Sequence, residues 1–488
     1  MEPSKTTKQE SVRIGGMVEQ GCVEGLVIGP AGTRKMTPLQ IISASWIICD
    51  SWAGVSATVA LAIAQGGPVT MVYGLILMFL LVGACTLTLA ELSSVYPTAG
   101  GQYHWTSILA PGCISRGLSY ACGMANMFAW IAICTGIAII PSQLILGIVL
   151  FYNPGFNAQP WHYFILYQVI NVLVLFYCTA LLKKSLWIHD ACFFITLASF
   201  FVIVIVCLAR TAPNFQPNVH VWANFLNDSG WTSGGVAFLT DAARVVPRAL
   251  LSTLVIGFGT SFAFLVTMLY CTDDLKAVVA SATGVPIYEV WYQATHSKAA
   301  ATTFIILLSL AAAFALIGAQ ETAARLTWSL ARDNTLYGSS QIKKMHPSLD
   351  VPAWALVFNF SVMFIIGCIY LGSSSAFNAF IATGLVLQHV SYAIPAALLL
   401  LRRRGSTWLP ANRPFRLPGP VGWTVNFVTV GFTLLALVFY SFPTARPVTG
   451  SNMNYTAAVL GCMAIVALGN WVFYARRWYC GPRLHGLD

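Results

Sequence analysis

Asp50 is a carboxylate inside an otherwise apolar stretch, and Ser51, Trp52, Ala53, Gly54, Val55 and Ser56 follow it. A charged side chain within an apolar run is costly and marks a functional path. An acid placed there can attract an ammonium group or carry a proton. A glycine flanked by small hydroxyl residues lets a helix open, freeing backbone N–H and C=O groups for a substrate carboxylate or a cation. Irregular backbone of that kind is tolerated at depth only where it lines a cavity. Asp50, Ser51, Trp52, Ala53, Gly54 and Ser56 are therefore the candidate substrate-binding residues. The competing reading is an intact helix, with Gly54 at a helix–helix contact and Asp50 hydrogen-bonded in a packing interface.

Other polar residues in apolar surroundings suggest less. Glu321 and Arg325 stand four apart, the spacing of a local helical ion pair, with Gln320 beside them. Asn378 and Gln388 read as interhelical glue. Glu91, at the end of an apolar run, reads by itself as a solvated interfacial carboxylate. His162, His189 and His389 share no ligand spacing, so no metal site is expected, and His189-Asp190 reads as an interfacial pair. No G-x-x-x-x-G-K-[ST] loop exists to hold ATP. The thirteen cysteines lie mainly in apolar runs without metal-ligand pairing and read as buried thiols. A membrane-embedded enzyme would need His, Asp or Cys clustered on one cavity, and the spans carry isolated polar groups instead. No catalytic residue and no cofactor is expected.

The elements that must position these groups are membrane helices. Of the 488 residues, 57% are hydrophobic and 9% charged, with a mean hydropathy of +0.73. A soluble domain carries about a quarter charged residues. Spans of about 20 residues are expected near 39–64, 70–91, 117–151, 161–182, 186–209, 249–270, 300–331, 352–371, 376–401, 422–442 and 456–475. That is eleven. Residues 1–37 and 479–488 read as cytoplasmic tails around a transmembrane domain at 38–478.

The net charge of +10 follows loops rather than a nucleic-acid face. With the N-terminus inside, 21 of the 26 Lys and Arg residues fall on the cytoplasmic side. The sequons at Asn227 and Asn454 then lie outside, as candidate glycosylation sites. One conflict remains. The fifth span ends outside at Arg210, whereas Arg244 and Arg248 belong inside, and the only apolar run between is Val236–Leu239. A truncated sixth crossing is expected there.

The stretch Ala90–Trp105 reads AELSSVYPTAGGQYHW. Pro97 ends a helix, Gly100-Gly101 lets backbones approach, and Tyr103 and Trp105 suit the headgroup level. This stretch closely resembles the signature A-E-x-S-S-x-x-P-x-x-G-G-x-Y-x-W of the amino acid–polyamine–organocation superfamily. Further matches are Ser51-Trp52-Ala53-Gly54, Val246-Pro247-Arg248-Ala249, Thr283-Gly284-Val285-Pro286 and Tyr292-Gln293-Ala294-Thr295. Two more are Trp328-Ser329-Leu330-Ala331-Arg332-Asp333 and Asn412-Arg413-Pro414-Phe415. In this order they are similar to the fungal amino acid/choline transporter branch, which holds the γ-aminobutyrate and choline permeases.

The resemblance implies an all-α polytopic fold of two inverted five-helix repeats plus two helices, with helices one and six unwound at mid-membrane. Here helix six is shortened, giving eleven clear spans. It implies a gate involving Glu91 with a basic partner such as Arg325 or Arg332. It also implies proton-coupled transport of a small amino acid or amine by alternating access. A specialised-metabolite transporter of the same fold, a transport-inactive paralogue and a mis-spliced gene are the alternatives. The expected partners are a small-molecule substrate and the lipid bilayer, with no nucleic acid; the oligomeric state stays open. The expected location is the plasma membrane, with the vacuolar membrane as the alternative.

Overall fold

The computed structural model describes residues 38–98, 100–181, 187–212, 214–223, 251–281, 283–347, 349, 351–413, 415–443, 448–449 and 453–482. The tail at 1–37, Asn227, Arg244, Arg248 and the Val246–Ala249 motif lie outside these residues. So does most of the stretch in which a truncated crossing is expected. The described chain is helical, with no strand among the described residues.

The first crossing begins as α1 (Pro38–Cys49) and resumes as α2 (Ser51–Val95) after a break at Asp50. At Gly67 the backbone takes φ 68° and ψ −164°, a conformation that glycine adopts without the steric penalty of a Cβ. Pro68 follows, so α2 is two helical arms joined at a sharp kink. A short α3 (Gln102–Leu109) precedes the long α4 (Gly112–Tyr152). Next come α5 (Pro160–Leu181), which ends in a π turn, α6 (Trp187–Thr211) and the short α7 (Asn218–Trp222). The second half holds α8 (Leu251–Tyr270), α9 (Leu275–Val279), α10 (Pro286–Thr295) and α11 (Lys298–Arg332). It ends with α12 (Ser339–Ile342), α13 (Ala353–Gly372), α14 (Ser374–Leu401), α15 (Gly419–Phe439) and α16 (Thr456–Trp478).

Local sequence starts these helices where it should. Ser297 and Ser373 cap α11 and α14 by accepting from Ala300 N–H and Ala376 N–H. Gln159 and His162 form a reciprocal cap ahead of α5, with Pro160 in the first turn. His162 is thus a helix-start residue.

Nine described helices are long and apolar enough to cross a membrane. The first expected span is divided by the break at Asp50 and the kink at Gly67. The expected span at 249–270 is described only from Leu251, as α8. In the interior, α4 packs along both α11 and α14, while α8 lies along α2. One apolar core gathers around Trp52, Phe264, Tyr288 and Trp291, and a second joins α4 to α11 through residues such as Met127, Ile131, Leu316 and Leu330.

Candidate functional site: a central cavity and a buried ion cluster

The break at Asp50 is one residue wide. Asp50 leaves helical geometry (φ 19°, ψ 60°), yet its N–H still donates to Trp46 O at 2.8 Å and its carbonyl accepts from Gly54 N–H at 3.0 Å. Aspartate is a weak helix former, because its short polar side chain competes for nearby backbone groups. Ser51 to Ser56 are helical, so the irregular backbone is narrower than the sequence suggests.

A cavity of about 260 Å³ opens beside this break. Its walls include Asp50, Ser51, Ala53 and Gly54, the α2 residues Leu75 and Phe79, and the α8 residues Gly257, Phe258 and Ser261. Aliphatic side chains of α4, α11 and α14 complete it. Asp50 is 4% exposed, and among the described residues its Oδ1 has no hydrogen-bond partner; the buried Ser261 Oγ has none either. Phe79 and Phe258 stack with ring centroids 4.2 Å apart. A carboxyl group with one unsatisfied oxygen and two hydroxyls, set in hydrocarbon, suit a small molecule that carries a positive nitrogen.

Two of the residues expected at this site lie elsewhere. Trp52 is fully buried behind the break against Phe264 and Phe200, with centroids at 5.6 and 6.4 Å. Ser56 returns its hydroxyl to Trp52 O at 2.9 Å. On a helix, positions two and six past Asp50 point away from the face that Ser51 and Gly54 present to the cavity. Sequence reading missed Ser261 and the Phe79–Phe258 pair, whose only signal was a hydroxyl and a bulky ring within apolar runs.

At one end of the bundle, Glu91 is fully buried. It binds Arg404 at 2.5 Å, Arg413 at 2.7 Å and the backbone N–H of Leu417 at 3.2 Å. The sequence pointed to Arg325 or Arg332 as its partner, and the structure corrects this. Arg325 lies 3.9 Å from Glu321, and Arg332 Nε 3.6 Å from Asp333. The segment after α14 folds back over the end of α2, an arrangement that no local pattern announces. More ties hold it there. Tyr96 OH donates to Trp408 O at 2.8 Å, and Trp105 Nε1 to Tyr96 O at 2.8 Å. Arg402 Nε donates to Leu109 O at 3.0 Å, with its guanidinium over the Trp408 ring. Burial pushes the Tyr96 phenol up, so it stays a neutral donor.

Tyr103 and Trp105 are also buried, where a headgroup position was expected. Tyr103 OH bonds Ser329 at 2.8 Å and Asp333 at 2.9 Å, so α3 docks on the end of α11. Burial, and then the Asp333 charge, push this phenol up as well.

The amino acid permease family profile matches residues 39–243 and 240–467, two pieces that meet where the sequence reading expects a shortened crossing. The chain belongs to the amino acid permease family. It is 32% identical to a choline transporter of Saccharomyces cerevisiae over 92% of this chain and 83% of that protein. It is 30% identical to a swainsonine transporter of Arthroderma benhamiae over 91% and 92% of the two chains. In fold it is similar to a crystallised manganese transporter of Eremococcus coleocola, with a TM-score of 0.54 at 14% identity over 92% and 96% of the two chains. The permease is thus a multi-pass membrane transporter of the superfamily's fungal branch, and its relatives are transporters rather than enzymes.

Three remaining expectations fall in this permease as follows. Asn454 gives its side-chain N–H groups to Tyr440 O at 2.5 Å and Phe442 O at 2.9 Å, so a glycan there would displace a formed turn. Gln388 donates to Tyr392 OH at 2.6 Å, within its own helix, while Asn378 is exposed. His189-Asp190 is not a surface pair: His189 is buried and faces Glu321.

Proposed function

We propose that this permease carries a small amine, such as choline or γ-aminobutyrate, through the central cavity by alternating access. The observation that supports this most directly is the buried Asp50 carboxylate, unpaired at Oδ1, at a helix break on the cavity wall. A cation entering the cavity satisfies that oxygen, beside the Phe79 and Phe258 rings on the same wall. The cluster around Glu91 sits at the end of the bundle where basic loops collect, so we place that end in the cytoplasm and the protein in the plasma membrane. Proton coupling supplies the driving force.

The test is uptake of radiolabelled choline and γ-aminobutyrate in a host strain lacking its own permeases. Wild type accumulates at least one of them, and Asp50→Asn lowers uptake about tenfold or more at equal surface expression. Normal uptake by Asp50→Asn removes the carboxylate from the mechanism. A second reading, a bulkier amine of specialised metabolism, is favoured by the mainly hydrocarbon walls. Competition of uptake by swainsonine, the compound for which a similar protein is named, separates the two readings.

A further inference from the structure

A second buried acid–base pair lies outside the cavity. His189 on α6 is 3% exposed, and its Nε2 lies 3.4 Å from Glu321 Oε1 on α11. Among the described residues Glu321 Oε1 is buried without a hydrogen bond, so the two groups meet without an aligned donor and acceptor. The side chain of Glu321 is 12% exposed. The next residue, Asp190, accepts a hydrogen bond at 2.9 Å from Ser43 Oγ on α1, the half-helix that precedes the break. Trp46 of α1 meets Phe193 of α6 edge-on one turn further along. None of these residues lines the cavity.

Among the described residues, the other charged or titratable groups around the pair are few. Arg325 is 3.9 Å from Glu321 Oε2, but its side chain is 67% exposed. The Cys178 thiol at the end of α5 is within electrostatic reach of Glu321. From α1 the Ser43 hydroxyl reaches this cluster, through Asp190. Lys183 and Lys184 lie outside the described residues.

We propose that His189 and Glu321 form the site at which this transporter takes up and releases its coupling proton. The inference rests on the proton-driven reading above and assigns it to residues other than Asp50. With a proton on the imidazole, the pair is a neutral ion pair tying α6 to α11. Without it, a lone carboxylate faces a neutral ring in a buried setting, and the tie weakens. Asp190 follows His189 directly in α6, so the change is passed through its bond to Ser43 into α1. Loading and release thereby bias the position of the half-helix that borders the substrate.

The test uses the full chain, reconstituted in lipid with nitrogen-15-labelled histidine and titrated from about pH 5 to pH 8, the range over which imidazoles change charge. One titrating imidazole resonance disappears in His189→Gln. In Glu321→Gln the pH response of that resonance changes, because the imidazolium has lost its counter-charge. It is unmoved in Asp50→Asn. The proposal is overturned if the His189 resonance does not titrate in this range, or if Glu321→Gln leaves it in place. The second readout is transport of choline and γ-aminobutyrate in the same vesicles. His189→Gln loses accumulation driven by a pH gradient but retains exchange of labelled for unlabelled solute. Accumulation equal to wild type sinks the inference while leaving the cavity reading intact. Failure of both solutes to bind or move in wild type sinks that substrate reading, while the resonance still decides the proton site.

Discussion

Asp50 and Trp52 are two residues apart, and the structure gives them opposite jobs. Asp50 faces the cavity with an unpaired oxygen, whereas Trp52 fills the core between α6 and α8. Replacing Trp52 by Ala removes a fully buried ring and should cost about 3–5 kcal/mol of stability. The expected result is less folded transporter at the surface and a lower unfolding temperature, with the KM of the surviving molecules unchanged. A raised KM at normal stability would return Trp52 to the substrate. On the far wall, a Cβ at Gly257 would lie 2.7 Å from Ser51 Oγ. Gly257→Ala should therefore crowd the cavity and slow uptake of a bulky amine more than of a small one, read as the ratio of their kcat/KM values. The acid and its motif were legible in the sequence because a carboxylate in hydrocarbon is conspicuous. Which of its neighbours share its face was not, since a one-residue break sets the helical phase, and its width cannot be read from residue types.

The elements at the basic end are held by charge that crosses long stretches of chain. Glu91 lies more than 300 positions before Arg404 and Arg413, with |i−j| of 313 and 322, yet all three side chains are nearly dry. Removing one member of a buried ion cluster strands the others and costs about 3–5 kcal/mol. Glu91→Ala is thus expected to lower thermal stability sharply, and Arg404→Ala to do the same. A loss of transport with full stability would instead mark a gate that opens and closes. A methyl at Gly422, on α15, would fall on the Arg404 guanidinium. Gly422→Ala should reproduce part of the Arg404→Ala defect in the same unfolding measurement. The importance of Glu91 was visible from its motif, and Arg413 stands within another. Their meeting was not visible, because the fold-back of the segment after α14 depends on contacts far apart in the chain.

For the whole molecule, the alternation of apolar runs and basic loops was enough to identify a helical membrane bundle. Where the backbone breaks, at Asp50, one expected span is two helices rather than one. Cys113 and Cys480 are both exposed and flank the starts and ends of helices at the basic end. If that end faces the cytoplasm, a membrane-impermeant thiol reagent should label them only after permeabilisation, and in a Cys22→Ser background Cys113→Ser with Cys480→Ser should remove most of that signal. Labelling on intact cells would invert the proposed orientation. A final consequence follows from the break being a single residue. Because both neighbouring hydrogen bonds are kept, α1 behaves as a stiff oar on one rowlock rather than as a frayed cord. Its twelve residues reach about 18 Å. A stroke of roughly 15° moves its tip about 5 Å, enough for water to enter behind it.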